Sequence, residues 1–230
     1  MNLRGAIALV TGGSEGIGKA VARALKAEGA LVTITGRRRA VLEGAAGDLG
    51  VDGIAGDVGD EADAKRTVEE VVRRHGRLDI LINNAGVGYF APLVEADLGK
   101  LQEVYRTNVF GAFLMAREAA RVFVRQRSGH LVNISSTAGT KGFQGGTAYA
   151  SSKFALKGMT ECWREELRRS NVRVILVNPS EVLTGFGGKP PPRNPKKLRP
   201  QEIADAIVGA LKIDDRGFLP EFSVFATNPF

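Results

Sequence analysis

Short apolar stretches of strand length alternate with helical stretches along the whole chain, and this alternation limits the fold more than any other feature. The predicted strands are 6–10, 31–35, 51–55, 78–82, 130–135, 172–177 and 219–225. The predicted helices are 17–27, 40–49, 61–74, 98–125, one that opens at Tyr149, and 200–211. Strands separated by helices pair in parallel and are covered on both faces. The sequence therefore predicts an α/β chain with a doubly wound parallel sheet of about seven strands and helices on both faces.

The composition fits one domain without a membrane segment. The chain has 230 residues, of which 43% are hydrophobic, so it is long enough for a buried core. We predict a single domain over 1–230, with substrate loops at about 87–97, 137–147 and 180–199. No apolar run is long enough to span a bilayer, and none reads as a signal peptide. The single cysteine, Cys162, excludes an internal disulfide, is expected to be an inert packing residue, and favours a reducing, cytoplasmic location.

The net charge of +7 raises nucleic acid as a partner. The basic residues are dispersed, however, with short clusters at 37–39, 168–169 and 193–199. No predicted helix carries a continuous basic stripe with interleaved aromatic residues. We therefore expect no nucleic-acid partner, because a nucleotide phosphate explains the first cluster better.

A glycine-rich turn follows the first predicted strand and begins the first helix. It reads T-G-G-S-E-G-I-G over 11–18, which is a G-x-x-x-G-x-G spacing rather than the commoner G-x-G-x-x-G. Glycines let the backbone approach a pyrophosphate, and a helix N-terminus offers free N–H groups. The turn predicts a dinucleotide site, whose cofactor contacts are Gly12, Ser14, Glu15, Gly16, Ile17 and Gly18.

The end of the second predicted strand bears on the choice of coenzyme. Arg37 and Arg38 stand where an NAD-binding chain usually has an acid for the ribose 2′-hydroxyl. A guanidinium suits a 2′-phosphate, which favours NADP(H); NAD(H), with a solvated loop arginine, is the alternative. After the third strand, Asp57 is expected to accept from the adenine amino group and Val58 to flank the ring. Alternatively, Asp57 caps the following helix.

Tyr149 and Lys153 form a Y-x-x-x-K pair at the start of a predicted helix. Residues four apart share one helix face, which brings an ammonium beside a phenol. The positive charge is expected to lower the tyrosine pKa from its usual value of about 10 and so to make a general acid/base. Taken alone, such a pair is usually just a tyrosine at a helix start and a solvated lysine, and the other motifs of the chain are what favour catalysis.

Five motifs in the expected order make the chain resemble the short-chain dehydrogenase/reductase family. They are the glycine-rich turn, N-N-A-G at 83–86, Asn108, Ser136 and the Tyr149–Lys153 pair. The resemblance extends from the first strand to about Thr184, and the layout is similar to the beta-ketoacyl reductase branch, although 215–230 lacks that branch's glycine-rich ending. It implies one Rossmann domain and hydride transfer between nicotinamide and a ketone or secondary alcohol.

The resemblance also implies roles for individual residues. Tyr149 exchanges a proton with the reacting oxygen, and Lys153 lowers the pKa of Tyr149 and binds the nicotinamide ribose. Ser136 hydrogen-bonds the substrate oxygen, with Ser135 as the alternative. Asn108 holds a water in a proton relay behind the lysine, with an exposed helical position as the alternative. The remaining implied cofactor contacts are Asn84, Ala85, Gly86, Pro179, Val182 and Thr184, and Asn83 braces the sheet.

Two positions depart from the family pattern. Ser180 stands where the family commonly has glycine after Pro179, which predicts an altered contact near the nicotinamide amide. Glu15 stands where NADP-preferring members often carry a basic residue, so the coenzyme prediction rests on Arg37 and Arg38.

Aromatic residues in the predicted loops indicate a partly apolar carbonyl or alcohol substrate. We predict Tyr89, Phe143 and Phe186 as substrate contacts, with Val87 and Phe90 in the same loops; lid or interface packing is the alternative. Two helices also carry more apolar surface than one sheet face should cover, and family members pair these helices across a two-fold axis. This implies a homodimer or homotetramer built on Phe110, Phe113, Met115, Phe123, Leu156, Met159 and Trp163.

Two other functions fit the same fold. A nucleotide-sensing regulatory protein would not need to keep Ser136, Tyr149 and Lys153. A sugar-nucleotide epimerase or dehydratase shares Y-x-x-x-K, but usually has a longer C-terminal substrate domain and a different glycine spacing. No metal site is expected.

Overall fold

The computed structural model describes residues 1–186, 194 and 196–228, so part of the predicted loop over 180–199 lies outside the described residues. One parallel sheet of seven strands is formed, in the order β3-β2-β1-β4-β5-β6-β7. The strands are β1 Ile7–Thr11, β2 Leu31–Gly36, β3 Asp52–Ala55, β4 Ile80–Asn83, β5 Gly129–Ile134, β6 Val172–Pro179 and β7 Glu221–Val224. The predicted doubly wound α/β fold is confirmed, and the strand ends lie within two residues of those expected.

Helices cover both faces of the sheet, and one predicted helix contains a π-helical segment. The helices are α1 Gly16–Ala27, α2 Arg39–Leu49, α3 Glu61–His75, α4 Leu98–Tyr105, α5 Ala112–Gln126, α6 Thr147–Leu167 and α7 Pro200–Leu211. A π-helical segment over Arg106–Gly111 joins α4 to α5, so that the helix predicted over 98–125 is continuous but locally widened. Such segments often lie at functional sites, and this one contains Asn108.

Local signals in the sequence set where α3 begins and ends. Asp60 is its N-cap, because the Asp60 carboxylate accepts from the backbone N–H of Asp63 at 2.9 Å. The alternative that Asp57 caps this helix is therefore wrong; Asp57 instead accepts from the N–H of Gly59 at 2.9 Å. The helix ends at Gly76, whose φ of 77° is the left-handed conformation that glycine adopts without strain.

The sheet separates two hydrophobic cores, because successive strand residues point to opposite faces. Ala8 and Val10 of β1 face the core that includes residues of α1, α2 and α7. Ile7 and Leu9 face the core that includes residues of α3 and α5. With both faces covered, the loops at the carboxyl ends of the strands are the natural place for a ligand site.

The apolar residues expected on an outer helical surface divide into buried, exposed and half-buried ones. Met115, Phe123 and Leu156 are buried and belong to the interior of the chain, so their assignment to an interface is wrong. Phe110 and Phe113 are 56% and 41% exposed, and Phe154 on α6 is 46% exposed. Met159 and Trp163 are half-buried.

Cys162 is exposed on α6, so the expectation that it packs is wrong. Its position on the outward side of the helix, away from the sheet, is the physical reason. Among the described residues, no helix combines the length and apolarity needed to cross a membrane. The single domain over 1–230 stays a prediction.

Candidate active site

The glycine-rich turn packs tightly against the end of β4. A Cβ atom on Gly18 would overlap the Gly12 carbonyl oxygen and lie 2.5 Å from the amide nitrogen of Asn84. That amide nitrogen donates to the carbonyl oxygens of Thr11 at 2.9 Å and Gly12 at 3.2 Å. Helix α1 can therefore begin this close to β1 only because position 18 carries no side chain.

The first turn of α1 is suited to bind an anion. The helix starts at Gly16, and its N-cap residue, Glu15, makes no side-chain hydrogen bond to the first amides. Those N–H groups and the positive end of the helix dipole fit a pyrophosphate. Thr184 lies beside this turn, since a Cβ on Gly16 would be 3.3 Å from the Thr184 methyl carbon. The residues present thus fit the phosphate part of a dinucleotide.

The two arginines after β2 differ in their partners. Arg38 is held by Glu15, with 2.6 Å between Nη2 and Oε2, and both side chains are largely exposed. Arg37 has no carboxylate within ion-pair distance among residues 1–186, 194 and 196–228. It lines a surface groove of about 470 Å³ together with Val87, Tyr89 and Arg106. Of the two, Arg37 is therefore the guanidinium open to a ligand.

Asp57 and Val58, the two residues expected around the adenine, have different surroundings. The Asp57 carboxylate forms an ion pair with Arg106 at 3.1 Å, and no local pattern predicts this partner because it lies 49 positions further along the chain. A role beside the adenine stays a prediction for Val58, whose side chain is buried in the core that includes α3 and α5. Gly111 accommodates it, since a Cβ there would lie 2.7 Å from the Val58 Cγ2 atom.

The end of β4 is fixed by hydroxyl and amide contacts. The Thr11 hydroxyl accepts from the N–H groups of Asn84 at 3.0 Å and Ala85 at 2.9 Å. Asn83 donates to the Ala112 carbonyl at 2.8 Å, which braces the sheet against α5 as expected. Gly86 lies close to Lys153, because a Cβ there would be 3.7 Å from Lys153 Nζ. Thr11 was not among the predicted site residues, although its position directly before the glycines could have indicated it.

Ser136, Tyr149 and Lys153 converge where β5 ends and α6 begins. The Ser136 hydroxyl lies close enough to the Tyr149 hydroxyl to lower its pKa, and it accepts from the N–H of Ala138 at 3.1 Å. Ser135 points the other way, donating to the Lys153 carbonyl at 3.4 Å. Of the two serines, Ser136 is the one that lies at the tyrosine, because adjacent residues of an extended segment face opposite sides.

The electrostatics of this cluster differ from expectation. Lys153 is 4% exposed, and burial lowers its pKa to about 8. Burial raises the pKa of Tyr149, while the hydrogen bond with Ser136 lowers it. The expected lowering by the lysine charge is absent here, because the Lys153 ammonium donates to the Ile134 carbonyl at 2.8 Å and lies 5.7 Å from the tyrosine ring centre.

Asn108 is 1% exposed, so the alternative of an exposed helical position is wrong. Its amide nitrogen donates to the Val87 carbonyl at 2.9 Å and to the Ser152 hydroxyl at 3.0 Å, and its oxygen accepts from the Val87 N–H at 2.8 Å. The side chain thus ties the loop after β4 to α6. Both amide hydrogens are used within the protein, and Ser152 is a partner that the sequence analysis did not name.

Two phenylalanines contact the tyrosine ring and a third contacts one of them, whereas the Tyr89 ring points away from Tyr149. The ring centres of Phe90 and Phe186 are 5.5 Å and 5.4 Å from that of Tyr149, and the ring of Phe143 is 6.1 Å from that of Phe90. Tyr89 faces away, accepting from the Asp97 N–H at 3.0 Å and lining the groove of Arg37. Phe90 takes the place expected for Tyr89, because neighbouring residues of an extended loop point in opposite directions.

The segment after β6 completes the rim of the site. Pro179 ends the strand, and the N–H of Ser180 donates to the Val224 carbonyl at 2.9 Å. Val182 forms an isolated parallel bridge with Leu198, which closes the base of the loop. No group of three or more His, Cys, Asp or Glu side chains suited to a metal ion occurs in the part of the chain that the structure describes.

Comparison with known proteins agrees with this geometry. The family model described as short chain dehydrogenase matches residues 6–193. An uncharacterized oxidoreductase of Staphylococcus aureus is 33% identical over 209 residues, covering 89% of this chain and 90% of that protein.

Two solved structures are similar over almost their whole length. The alcohol dehydrogenase of the archaeon Thermococcus sibiricus, complexed with 5-hydroxy-NADP, has a TM-score of 0.89 and 28% identity over 96% of this chain and 97% of its own. The 3-ketoacyl-(acyl-carrier-protein) reductase of Brucella melitensis, complexed with NADH, has a TM-score of 0.91 and is 25% identical. The match covers 99% of this chain and 100% of that one. The chain belongs to the short-chain dehydrogenase/reductase family, as an oxidoreductase with an NAD(P)-binding Rossmann fold.

Proposed function

We propose that this protein reduces a ketone to a secondary alcohol, or runs the reverse reaction, with NADP(H) and with Tyr149 as the general acid/base. The observation that carries the proposal is the convergence of the Ser136 and Tyr149 hydroxyls beside the buried Lys153. These three groups lie at the carboxyl edge of the sheet, next to a glycine turn that fits a dinucleotide phosphate.

Each of the three side chains has a distinct task at the reacting oxygen. Nicotinamide, when bound, supplies or accepts the hydride. The Tyr149 hydroxyl gives its proton to the carbonyl oxygen as negative charge develops there, and the Ser136 hydroxyl donates a hydrogen bond to the same oxygen. Lys153 holds a positive charge beneath Tyr149 at neutral pH, since its pKa of about 8 still leaves most of it protonated.

The raised pKa of Tyr149 favours the reductive direction. Burial keeps the phenol protonated at neutral pH, and reduction needs a proton donor at that atom. Oxidation of an alcohol needs the phenolate instead. We infer that reduction is the faster direction at neutral pH and that oxidation speeds up as the pH rises.

NADP(H) is the proposed coenzyme, with NAD(H) as the alternative. Arg37 faces the groove without a carboxylate partner among the described residues, and the ion pair of Arg38 with Glu15 offsets the charge of that acid. Guanidinium groups recognise phosphate well. The similar structures include one complexed with an NADP derivative and one with NADH, so relatives supply examples of both coenzyme types.

We also propose that the protein assembles as a homodimer or homotetramer. Phe110, Phe113 and Phe154 are each more than two-fifths exposed and lie on neighbouring helical segments. Exposed aromatic side chains grouped in this way are typical of an interface between subunits.

The test is a panel of ketones and secondary alcohols offered with NADPH and with NADH, followed by the absorbance of the reduced nicotinamide. We expect turnover of at least one ketone, faster with NADPH. Tight binding of either coenzyme with no turnover across the panel would favour the nucleotide-sensing alternative. Interconversion of sugar nucleotides without net hydride transfer would favour the epimerase alternative.

A further inference from the structure

Three aromatic rings line the approach to Tyr149 and leave much of their surface uncovered. Phe90, Phe143 and Phe186 come from three separate loops, after β4, β5 and β6. They are 49%, 49% and 42% exposed, although Phe90 and Phe186 also contact the tyrosine ring. Exposed apolar surface grouped in a cleft marks a place where a ligand is covered.

A glycine permits two of these rings to meet. A Cβ atom on Gly88 would lie 2.7 Å from Cε1 of Phe186 and 2.9 Å from Cε2 of Phe90, which is too close for any real side chain. The two rings therefore share the bare backbone of Gly88 as a support. Any residue other than glycine would push at least one ring away from Tyr149.

Gly146 has the same relation to the third ring. A Cβ on Gly146 would lie 2.7 Å from Cζ of Phe143. The bare backbone at two glycines in different segments thus leaves room for all three rings, of which Phe90 and Phe186 contact Tyr149 and Phe143 contacts Phe90. Ring centres 5.4 to 6.1 Å apart with interplanar angles of 40° to 60° are typical of tilted and edge-to-face aromatic pairs.

We propose that these rings select a carbonyl substrate with a flat aromatic group attached to the reacting carbon, that is, an aryl ketone. The inference rests on the proposed function, because the Tyr149 hydroxyl must face the carbonyl oxygen. A group attached to that carbonyl then lies against Phe90 and Phe186, which offer no hydrogen-bonding atoms. A charged or polar group there would lose its water without a partner, whereas an aromatic face gains edge-to-face contacts.

The test compares acetophenone with cyclohexyl methyl ketone, which has the same ring size without the flat aromatic face. Binding is measured by calorimetry to the protein with and without NADP⁺, so the readout does not require turnover. We expect the parent to bind acetophenone about 3- to 10-fold more tightly, the range for one or two aromatic contacts. Phe186→Leu, which keeps an apolar side chain, should bring the ratio close to one.

Three further variants test the same ratio of ketone affinities. Phe90→Leu should lower the ratio as Phe186→Leu does, and Gly88→Ala should lower it without removing a ring. Phe218→Leu is the matched control, because Phe218 precedes β7 at the opposite end of the sheet and should leave the ratio unchanged. Circular dichroism of each variant verifies folding, and two independent ring variants keep the comparison decisive if one does not fold.

The outcomes separate this inference from the proposed function. Equal affinity for the two ketones in the parent, or a ratio that Phe186→Leu and Phe90→Leu leave unchanged, would overturn the aryl-ketone inference. A failure of the parent to reduce any ketone with either coenzyme counts against the proposed function instead. A lowered binding ratio in the ring variants supports the inference in both cases.

Discussion

The ammonium of Lys153 lies 5.7 Å from the centre of the Tyr149 ring and donates its hydrogen bond to the Ile134 carbonyl, at 2.8 Å, rather than to the phenol. The side chain whose hydroxyl lowers the Tyr149 pKa, against the raising effect of burial, is that of Ser136. Ser136 and Lys153 thus approach Tyr149 from different elements, the lysine as a buried side chain of α6. The two neighbours of Tyr149 can therefore be tested separately.

The first prediction concerns the catalytic proton. Tyr149→Phe keeps the ring and its contacts with Phe90 and Phe186 but removes the hydroxyl. We expect turnover to fall by several orders of magnitude, with the dissociation constant for NADP(H) largely unchanged, as measured by steady-state kinetics and calorimetry. Ser136→Ala should lower the rate by about 10²- to 10³-fold, the usual cost of one hydrogen bond to a developing oxyanion.

Ser135→Ala is the matched control for this pair. Ser135 is the adjacent residue, but its hydroxyl donates to the Lys153 carbonyl and faces α6. We expect its removal to cost far less turnover than Ser136→Ala. Near-normal activity of Tyr149→Phe, or equal losses for the two serine variants, would contradict the assigned roles.

The second prediction concerns stability and pH. His130 is buried at the start of β5, and burial, with the nearby Arg173 charge as a smaller cause, lowers its pKa from 6.5 to about 4. Between those values the unfolded chain binds a proton that the folded chain does not. The contribution of neutral, buried His130 to the free energy of unfolding is therefore fully present above pH 6.5, and it is lost as the pH falls towards 4.

Denaturant unfolding at several pH values measures this effect. We expect the free energy of unfolding to drop by up to about 3 kcal/mol over that interval from this group, since one pKa unit corresponds to about 1.4 kcal/mol. His130→Asn should make the profile flatter over the same interval. An identical slope in parent and variant would show that other groups set the acid sensitivity.

The third prediction concerns assembly. We expect the parent to have the mass of a dimer or tetramer by light scattering at micromolar concentration. Phe113→Asp and Phe154→Asp should shift it towards the monomer, because each would replace an aromatic contact of the interface with a carboxylate that loses its water there. Leu31→Asp is the control, an exposed apolar residue at the start of β2 on another part of the surface. A monomeric parent would rule out the proposed assembly.

Several features of the fold and site follow from patterns that are local in the sequence. Strand and helix periodicity predicted the sheet, and the fixed spacing of Tyr149 and Lys153 placed both at the start of one helix. Contacts between distant segments were not predictable in this way. The pairing of Asp57 with Arg106 and the support of Phe186 on Gly88 depend on how loops meet after folding, and no spacing in the chain encodes them.

Side-chain direction is the second limit on prediction from sequence. Tyr89 and Phe90 are adjacent aromatic residues, and only the folded loop decides which one faces Tyr149. Helical amphipathicity likewise marks Met115 and Phe113 as apolar without revealing that one is buried and the other exposed. Lys153 was expected to act directly on the phenol, and its bond to a backbone carbonyl is a tertiary contact.

The last prediction concerns the coenzyme and rests on the two arginines after β2. Arg37 faces the groove, and no described carboxylate pairs with it, whereas Arg38 is held by Glu15 at 2.6 Å. A hydrogen bond to a charged group is worth about 1.5–3 kcal/mol, or roughly a 10- to 150-fold preference for NADP(H). We expect the lower half of that range, because the Glu15 carboxylate lies near the same end of the cleft.

Calorimetric dissociation constants for NADPH and NADH decide between the coenzymes. Arg37→Ala should weaken NADPH binding about tenfold or more with little change for NADH, and added salt should weaken NADPH binding more than NADH binding. Arg39→Ala is the matched control, since Arg39 pairs with Glu43 on the exposed side of α2. Glu15→Gln should tighten NADPH binding, because it releases Arg38 and removes a negative charge. Equal constants in the parent, or a preference that Arg37→Ala leaves in place, would identify Arg37 as a solvated loop residue.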